Sequence, residues 1–188
     1  MIAANKTNSV TEKTRELLIY IANQLQDKPN YGATLLNKAF YFIDSVSYLK
    51  RREPISSFLY EKQKNGPTPK PSQLLSLRDE LCENGDITIV EKERFGFIQK
   101  KLIAKRPSNN ELFSKDEIIL IDEVLKNICD ISATDISDFS HQFMAWKYAR
   151  DREELPLFTY LLTYKTASEN DRNWANSKLN QRVTMSNY

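Results

Sequence analysis

The side chains able to do chemistry are few. His141 is the only histidine of the 188 residues, and the two cysteines, Cys82 and Cys129, stand far apart with no Cys-x-x-Cys. A zinc site needs about four N, S or O ligands, usually clustered, so no metal centre is expected. Ser140 precedes His141, but neighbours on a helix point about 100° apart, so the two do not form a nucleophile–base couple. His141 therefore reads as a group that bridges packed elements through hydrogen bonds, ahead of a general acid or base. The carboxylate pairs Asp122/Glu123 and Glu153/Glu154 are sequence neighbours on helix surfaces and lack the facing arrangement of an acid–base pair. No G-x-x-x-x-G-K-[ST] or G-x-G-x-x-G phosphate cradle occurs. No catalytic residue, metal or cofactor is assigned.

Basic stretches at Lys50–Arg52, Lys62–Lys70 and Lys100–Arg106 offer a second chemistry. With Phe58, Tyr60, Phe95 and Phe97 nearby they could contact phosphates, so a nucleic-acid-binding regulator using residues 50–106 is the alternative function. No reading head such as a helix-turn-helix accompanies them. The third feature is Asn65-Gly66-Pro67-Thr68-Pro69-Lys70-Pro71. Its alternating prolines are expected to hold the chain extended without continuing a ladder. Such a stiff segment loses little entropy on binding and suits presentation to a protein partner.

The elements that must position these residues follow from periodicity and caps. Ser9-Val-Thr-Glu12 fits a capping box, and Leu17, Leu18, Ile21, Ala22 and Leu25 follow at helical spacing, so residues 10–26 read as an amphipathic helix. A second helix is expected from Ala33 to Arg51, closed by Lys50, Arg51 and Arg52 and by Pro54. Residues 57–63 alternate as a short strand. A third helix opens at Pro71 or Ser72 and closes at Asn84-Gly85 with a left-handed cap.

Residues 87–90 and 95–104 read as a hairpin around the polar Glu91–Arg94. Ser114-Lys-Asp-Glu117 is a second capping box, with Ile118, Ile121, Val124, Leu125 and Ile128 behind it. A short helix from Ala133 to Phe143, capped by Ser132, and an apolar helix from Pro156 complete the domain. Together these predict a mainly helical α+β single domain with a small antiparallel β-sheet or hairpin. It spans residues 10–167, between an N-terminal tail of residues 1–9 and a polar C-terminal tail of residues 168–188. Trp174 and Leu179 are the large apolar anchors of that last tail.

Composition agrees. The chain is 40% hydrophobic and 28% charged, with net charge +2, which fits a soluble globular domain and excludes a strongly basic polyanion binder. The small net charge hides a split. Residues 1–110 carry 18 basic and 12 acidic side chains, whereas residues 111–154 carry 5 and 11. The two parts attract one another or offer different faces to partners. No run approaches the roughly 20 apolar residues of a membrane span, and no secretory signal is recognised. With lone cysteines expected to be reduced and buried, the protein is read as cytoplasmic.

Three blocks in order carry a family resemblance. Thr34-Leu-Leu-Asn-Lys-Ala-Phe-Tyr-Phe-Ile-Asp44 resembles a helix signature T-K-L-x-K-L-L-Y-F-x-D through Lys38, Tyr41 and Asp44. Tyr60 followed by Gly66-Pro67 resembles an aromatic-then-Gly-Pro motif, and Ser140-His141-x4-Trp146, with Leu155-Pro156 after it, resembles [ST]-H-x-x-x-x-W. The set is similar to the Panacea, or SocA-like, antitoxin domain over about residues 10–165. Leu35 replaces the first lysine of the helix signature, Ala39 and Phe40 its leucine pair, and Leu157 a common tyrosine.

The resemblance implies a bacterial or phage-derived antitoxin that binds and neutralises a cognate protein toxin. It also implies a cytosolic protease as a second partner, if the chain delivers its toxin for degradation. It marks Lys38, Tyr41, Asp44, Tyr60, Gly66, Pro67, Ser140, His141 and Trp146 as motif residues, for partner binding or for holding the fold. Lys38 and Tyr41, three apart, share a helix face. Gly66-Pro67 would let the backbone pass close to that face.

Overall fold

The computed structural model describes residues 10–94, 96–162 and 173. Ser9, Phe95, Trp174 and Leu179 lie outside the described residues, as do most of the expected C-terminal tail and the whole N-terminal one. The architecture is α+β and mainly helical. Its elements are α1 (Glu12–Leu25), α2 (Ala33–Arg51), β1 (Tyr60–Gln63), β2 (Gly66–Pro69), α3 (Pro71–Glu83), β3 (Ile87–Arg94), β4 (Phe97–Ala104), α4 (Lys115–Ile128), α5 (Ala133–His141) and α6 (Met144–Tyr148). Short 3-10 turns at Asn110–Leu112 and Leu157–Leu162 accompany them. The second of these stands where a last apolar helix was expected from Pro156.

Local chemistry explains most boundaries. α1 starts two residues later than the Ser9 box implies, because the Thr11 hydroxyl accepts from the Thr14 N–H and so caps the helix itself. α4 starts with the full capping box: the Ser114 hydroxyl accepts from Glu117 N, and the Glu117 carboxylate accepts from Ser114 N. Ser132 caps α5. α3 ends on Asn84 and Gly85, and the left-handed residue is Gly85, at φ +76°.

Two antiparallel pairs form, β1–β2 and β3–β4. The second hairpin differs from expectation in its turn. Glu91–Arg94 belong to β3, and the chain reverses between Arg94 and Phe97, with Gly96 at φ +76°. Charged residues continue this strand because its outer part is solvated, and Glu91 pairs with Lys100 directly across the ladder at 2.8 Å.

β1–β2 is the larger departure, since the proline segment does pair: Tyr60 opposes Pro69 and Lys62 opposes Pro67. Antiparallel strands alternate between positions that exchange hydrogen bonds and positions that do not. The backbones of Tyr60 and Lys62 turn the other way, bonding to Leu155, Glu153 and Arg152. Pro67 and Pro69 therefore occupy positions where β1 asks for no N–H, and their missing donors fall on the outer edge.

One hydrophobic core unites the elements. Leu17, Leu18 and Ile21 of α1, Phe40 and Ile43 of α2, Leu77 of α3, Ile121 of α4, Ile136 of α5, Phe143 and Leu155 are all buried in it. The charge split serves the same end. Among the described residues five ion pairs join the basic first part to the acidic stretch: Lys13 and Arg51 to Glu117, Lys28 to Asp130, Lys50 to Glu123 and Lys70 to Glu154. Cys82 and Cys129 are free and half-buried rather than buried. Glu153 follows the turn at Asp151 and Arg152, and Glu154 forms an isolated bridge with Glu61, so the pair is not on a helix. Among the described residues no helix is long and apolar enough to cross a membrane, and no group of His, Cys, Asp or Glu is arranged to hold a metal ion.

Candidate functional site

α2 carries Lys38, Tyr41 and Asp44 one turn apart, and all three are buried. Lys38 is only 1% exposed. Its Nζ donates to the Pro67 carbonyl at 3.0 Å. In a strand the N–H and C=O of one residue point to the same side, so this is the carbonyl on the outer edge of β2, which β1 leaves unpaired. The lysine satisfies it. Burial pushes the Lys38 amine down to about 7, because an ammonium loses hydration there without gaining a carboxylate.

Gly66 makes this approach possible. It sits at φ +100°, and a β-carbon there would run into both Ser140 Oγ and Lys38 Nζ. Ser140 is fully buried on α5, and its hydroxyl donates to the Ser137 carbonyl at 2.7 Å. Lys38, Gly66, Pro67 and Ser140 thus meet at one point from α2, β2 and α5.

Asp44, two turns along α2, holds a different junction. It is fully buried and accepts from Ile55 N at 2.9 Å, Ser56 N at 2.8 Å, the Tyr60 hydroxyl at 2.6 Å and the Ser56 hydroxyl. Burial raises its carboxyl above the ordinary value, and these four bonds oppose that rise. Tyr60 is itself buried, and burial together with Asp44 raises its phenol far above the usual value. Tyr41 packs edge-on against Tyr60, ring centres 5.3 Å apart, and lies 6.1 Å from Phe143. Asp44, Tyr41 and Tyr60 are interior groups that tie α2 to the chain leading into β1.

His141 lies at the end of α5. Its ring stacks on the Trp146 indole, with centres 3.9 Å apart and planes 14° from parallel. Trp146 Nε1 donates to the Gln63 carbonyl at 2.9 Å, and Lys62 Nζ lies 4.6 Å from the indole centre on its way to the Ala149 carbonyl. His141 links α5 to Trp146 of α6 by stacking, and the Lys64 backbone of the first hairpin lies close enough to act on its imidazole. Its Nε2 is buried with no hydrogen-bond partner among the described residues, and Nδ1 lies 3.9 Å from Asp138. Burial, then the charge of Lys38, lowers the imidazole below its usual value. Asp138 and the Lys64 backbone favour the charged form.

A cavity of about 330 Å³ opens beside this assembly, with Asn37 and Lys38 of α2, Gln63, Lys64 and Asn65 of the first hairpin, and Leu74 and Leu75 of α3 in its wall. Gln63 and Asn37 were not singled out by sequence, and Lys62 only as part of a basic stretch. Each acts through a backbone carbonyl, a ring face or a cavity wall, and these leave no spacing signature.

The family model described as antitoxin SocA-like, Panacea domain, matches residues 36–147. That is well over half the chain. The chain belongs to the SocA-like, Panacea-domain antitoxin family. All nine motif residues, from Lys38 to Trp146, fall inside the matched stretch, whereas α1 lies before it. No curated protein and no solved structure matches the chain. As a Panacea-domain protein it therefore carries an antitoxin-like domain.

Proposed function

We propose that this Panacea-domain protein neutralises a cognate protein toxin of a bacterial or phage toxin–antitoxin pair by direct protein–protein contact, in the cytoplasm and without enzymatic activity of its own. One observation carries the reading: the stretch matched by the antitoxin family is the stretch that brings Lys38, Gly66, Pro67 and Ser140 together at the α2–β2–α5 junction, with Trp146 fastened to the same hairpin. The partner docks on the face around that junction. His141 and Trp146 are part-exposed there, Lys64 and Asn65 are exposed, and Met144 and Tyr148 of α6 stand 42% and 72% exposed. Aromatic residues and methionine are enriched at the centres of protein interfaces. Delivery of the bound toxin to a cytosolic protease is a finer form of the same function.

The nucleic-acid alternative loses support from the ion pairs. Lys50, Arg51, Lys70 and Lys100 each face a carboxylate, and Arg106 faces both Glu16 and Asp86. Groups already paired have little to gain from a phosphate. The test is co-expression with the product of the adjacent reading frame, scored by growth and by co-purification. Retention on heparin with a steep salt dependence would favour the alternative.

A further inference from the structure

We infer that the cavity beside Lys38 seats an Asp or Glu side chain of the partner polypeptide, its carboxylate paired with the Lys38 ammonium and reached by the Asn37 amide. The inference rests on the protein-binding reading above and names the chemistry of the contact.

Three independent features point to it. First, Lys38 is a buried lysine with no carboxylate in ion-pair range among the described residues; its single bond is to the Pro67 carbonyl. An ammonium has three donors, and burying it with one weak acceptor is costly. Second, Asn37 beside it has a buried Oδ1 with no hydrogen-bond partner among the described residues. Buried polar atoms are normally paired, and a half-turn of the amide presents two N–H donors instead. Third, the cavity wall holds Lys38 and the exposed Lys64 but no Asp or Glu. An anion entering here meets only cations, amides, hydroxyls and carbon.

Size and shape favour a side chain from another polypeptide over a free ligand. The volume of about 330 Å³ is at the low end of the roughly 300–1,000 Å³ of small-molecule pockets. Leu74 and Leu75 give one wall an apolar surface for a methylene stem, and Leu75 is 44% exposed at the mouth. Ala33 and Thr34 in the wall belong to the first turn of α2, which has no side-chain cap. The helix dipole there adds to the attraction for negative charge.

Pairing has a proton signature. The titratable groups around Lys38 are His141 on α5, whose imidazole feels the charges of Lys38 and Lys62, and Lys64 in the cavity wall. Asp138 on α5 lies beside His141, and Glu61 on β1 is engaged by Gln63. A bound carboxylate raises the midpoint of Lys38 above its resting value near 7, so binding takes up a proton. Affinity is then greatest below that midpoint and weakens as pH rises through it.

The experiment is a titration of the Lys38 ε-methylene resonances in the full chain by NMR, alone and with three probes: the peptide acetyl-Ala-Glu-Ala-amide, its Gln counterpart, and succinate. The inference predicts that the Glu peptide raises the Lys38 midpoint by about one pH unit, a tenfold preference for the charged form, and that the Gln peptide leaves it in place. Asn37→Asp, which supplies a carboxylate from the chain itself, should raise the midpoint without any probe and remove the response to peptide. An unmoved midpoint with the Glu peptide, or an equal response to Gln, overturns the inference. A response to succinate alone overturns it in favour of a small carboxylate ligand. Failure to co-purify a toxin would remove the partner's identity but would not alter any of these outcomes.

Discussion

Lys38 on α2 and Pro67 on β2, 29 residues apart, are joined by a hydrogen bond of 3.0 Å from the lysine Nζ to the proline carbonyl. The bond links the helix motif to the Gly-Pro motif, and it forms on the strand edge that proline leaves unpaired. The partner bond in this arrangement is Trp146 Nε1 to the Gln63 carbonyl, which fastens the histidine–tryptophan segment to the other side of the same hairpin. Two side-chain donors more than a hundred residues apart, Lys38 and Trp146, thus clamp one pair of four-residue strands.

Gly66→Ala should be among the most damaging small substitutions. It needs an L-residue at φ +100° and drives a methyl group into Ser140 Oγ and Lys38 Nζ. Strain and overpacking each cost about 1–3 kcal/mol. Urea denaturation should show a midpoint lowered accordingly with an unchanged slope, whereas Gly85→Ala, at φ +76° but in open space, should show the backbone cost alone.

Asp44→Ala should destabilise the fold by more than Tyr60→Phe. The first leaves the N–H groups of Ile55 and Ser56 and two hydroxyls without their acceptor, at about 1–3 kcal/mol for each buried donor left unpaired. The second removes one donor from a carboxylate that keeps three others. Thermal melts of the two variants check the order. A reversed order would contradict the placement of Asp44 as the acceptor at the centre of the junction.

Glu117 sets an acid-stability window. Burial works to raise its carboxyl, but hydrogen bonds from Lys13, Ser114 N and Arg51 hold it down at about 2, against an ordinary 4.5. A carboxyl depressed in the folded state contributes stability that is fully present above its unfolded value and lost as pH falls through the folded one. Wild type should therefore lose on the order of 3 kcal/mol between about pH 4.5 and 2. Glu117→Gln should be less stable at pH 7 and flatter across that window. Chemical denaturation at a series of pH values reads both.

His141→Ala separates a partner-contact role from a scaffold role. The side chain is 29% exposed and its Nε2 makes no hydrogen bond, so its loss should lower the melting temperature by only a few degrees, equivalent to about 1 kcal/mol of stacking and contact. With the partner docked around the junction, neutralisation should fall much more than stability. Trp146→Phe, which keeps a ring to stack on but loses the bond to Gln63, should behave in the opposite way.

Much of the framework was legible in the sequence because it rests on local rules. Capping at Ser114 and Ser132, the left-handed exit at Gly85 and the apolar periodicity of α2 and α4 each involve residues within one or two turns. The proline strand was misread because the rule that Pro breaks ladders depends on register. Only the partner strand decides whether the missing N–H faces inward, and here Tyr60 and Lys62 turn toward residues 152–155. The turn of the second hairpin was misplaced for a similar reason, since Glu91, Lys92 and Glu93 look like loop residues until β4 supplies partners for them.

The junction residues were legible as motif members, but their divided roles were not. Asp44 and Tyr60 serve an interior node, and Lys38 lies against a cavity, yet all read alike as polar or aromatic positions. The cavity itself joins α2, the first hairpin and α3, which no spacing along the chain encodes.

The most direct measurement is induction of the product of the adjacent reading frame with and without this protein, followed by size-exclusion chromatography of the lysate. Neutralisation by direct contact should give growth arrest without it, recovery with it, and co-elution of the two chains as a complex that His141→Ala weakens. Recovery with no complex, or continued arrest in the presence of folded protein, would contradict neutralisation by direct contact.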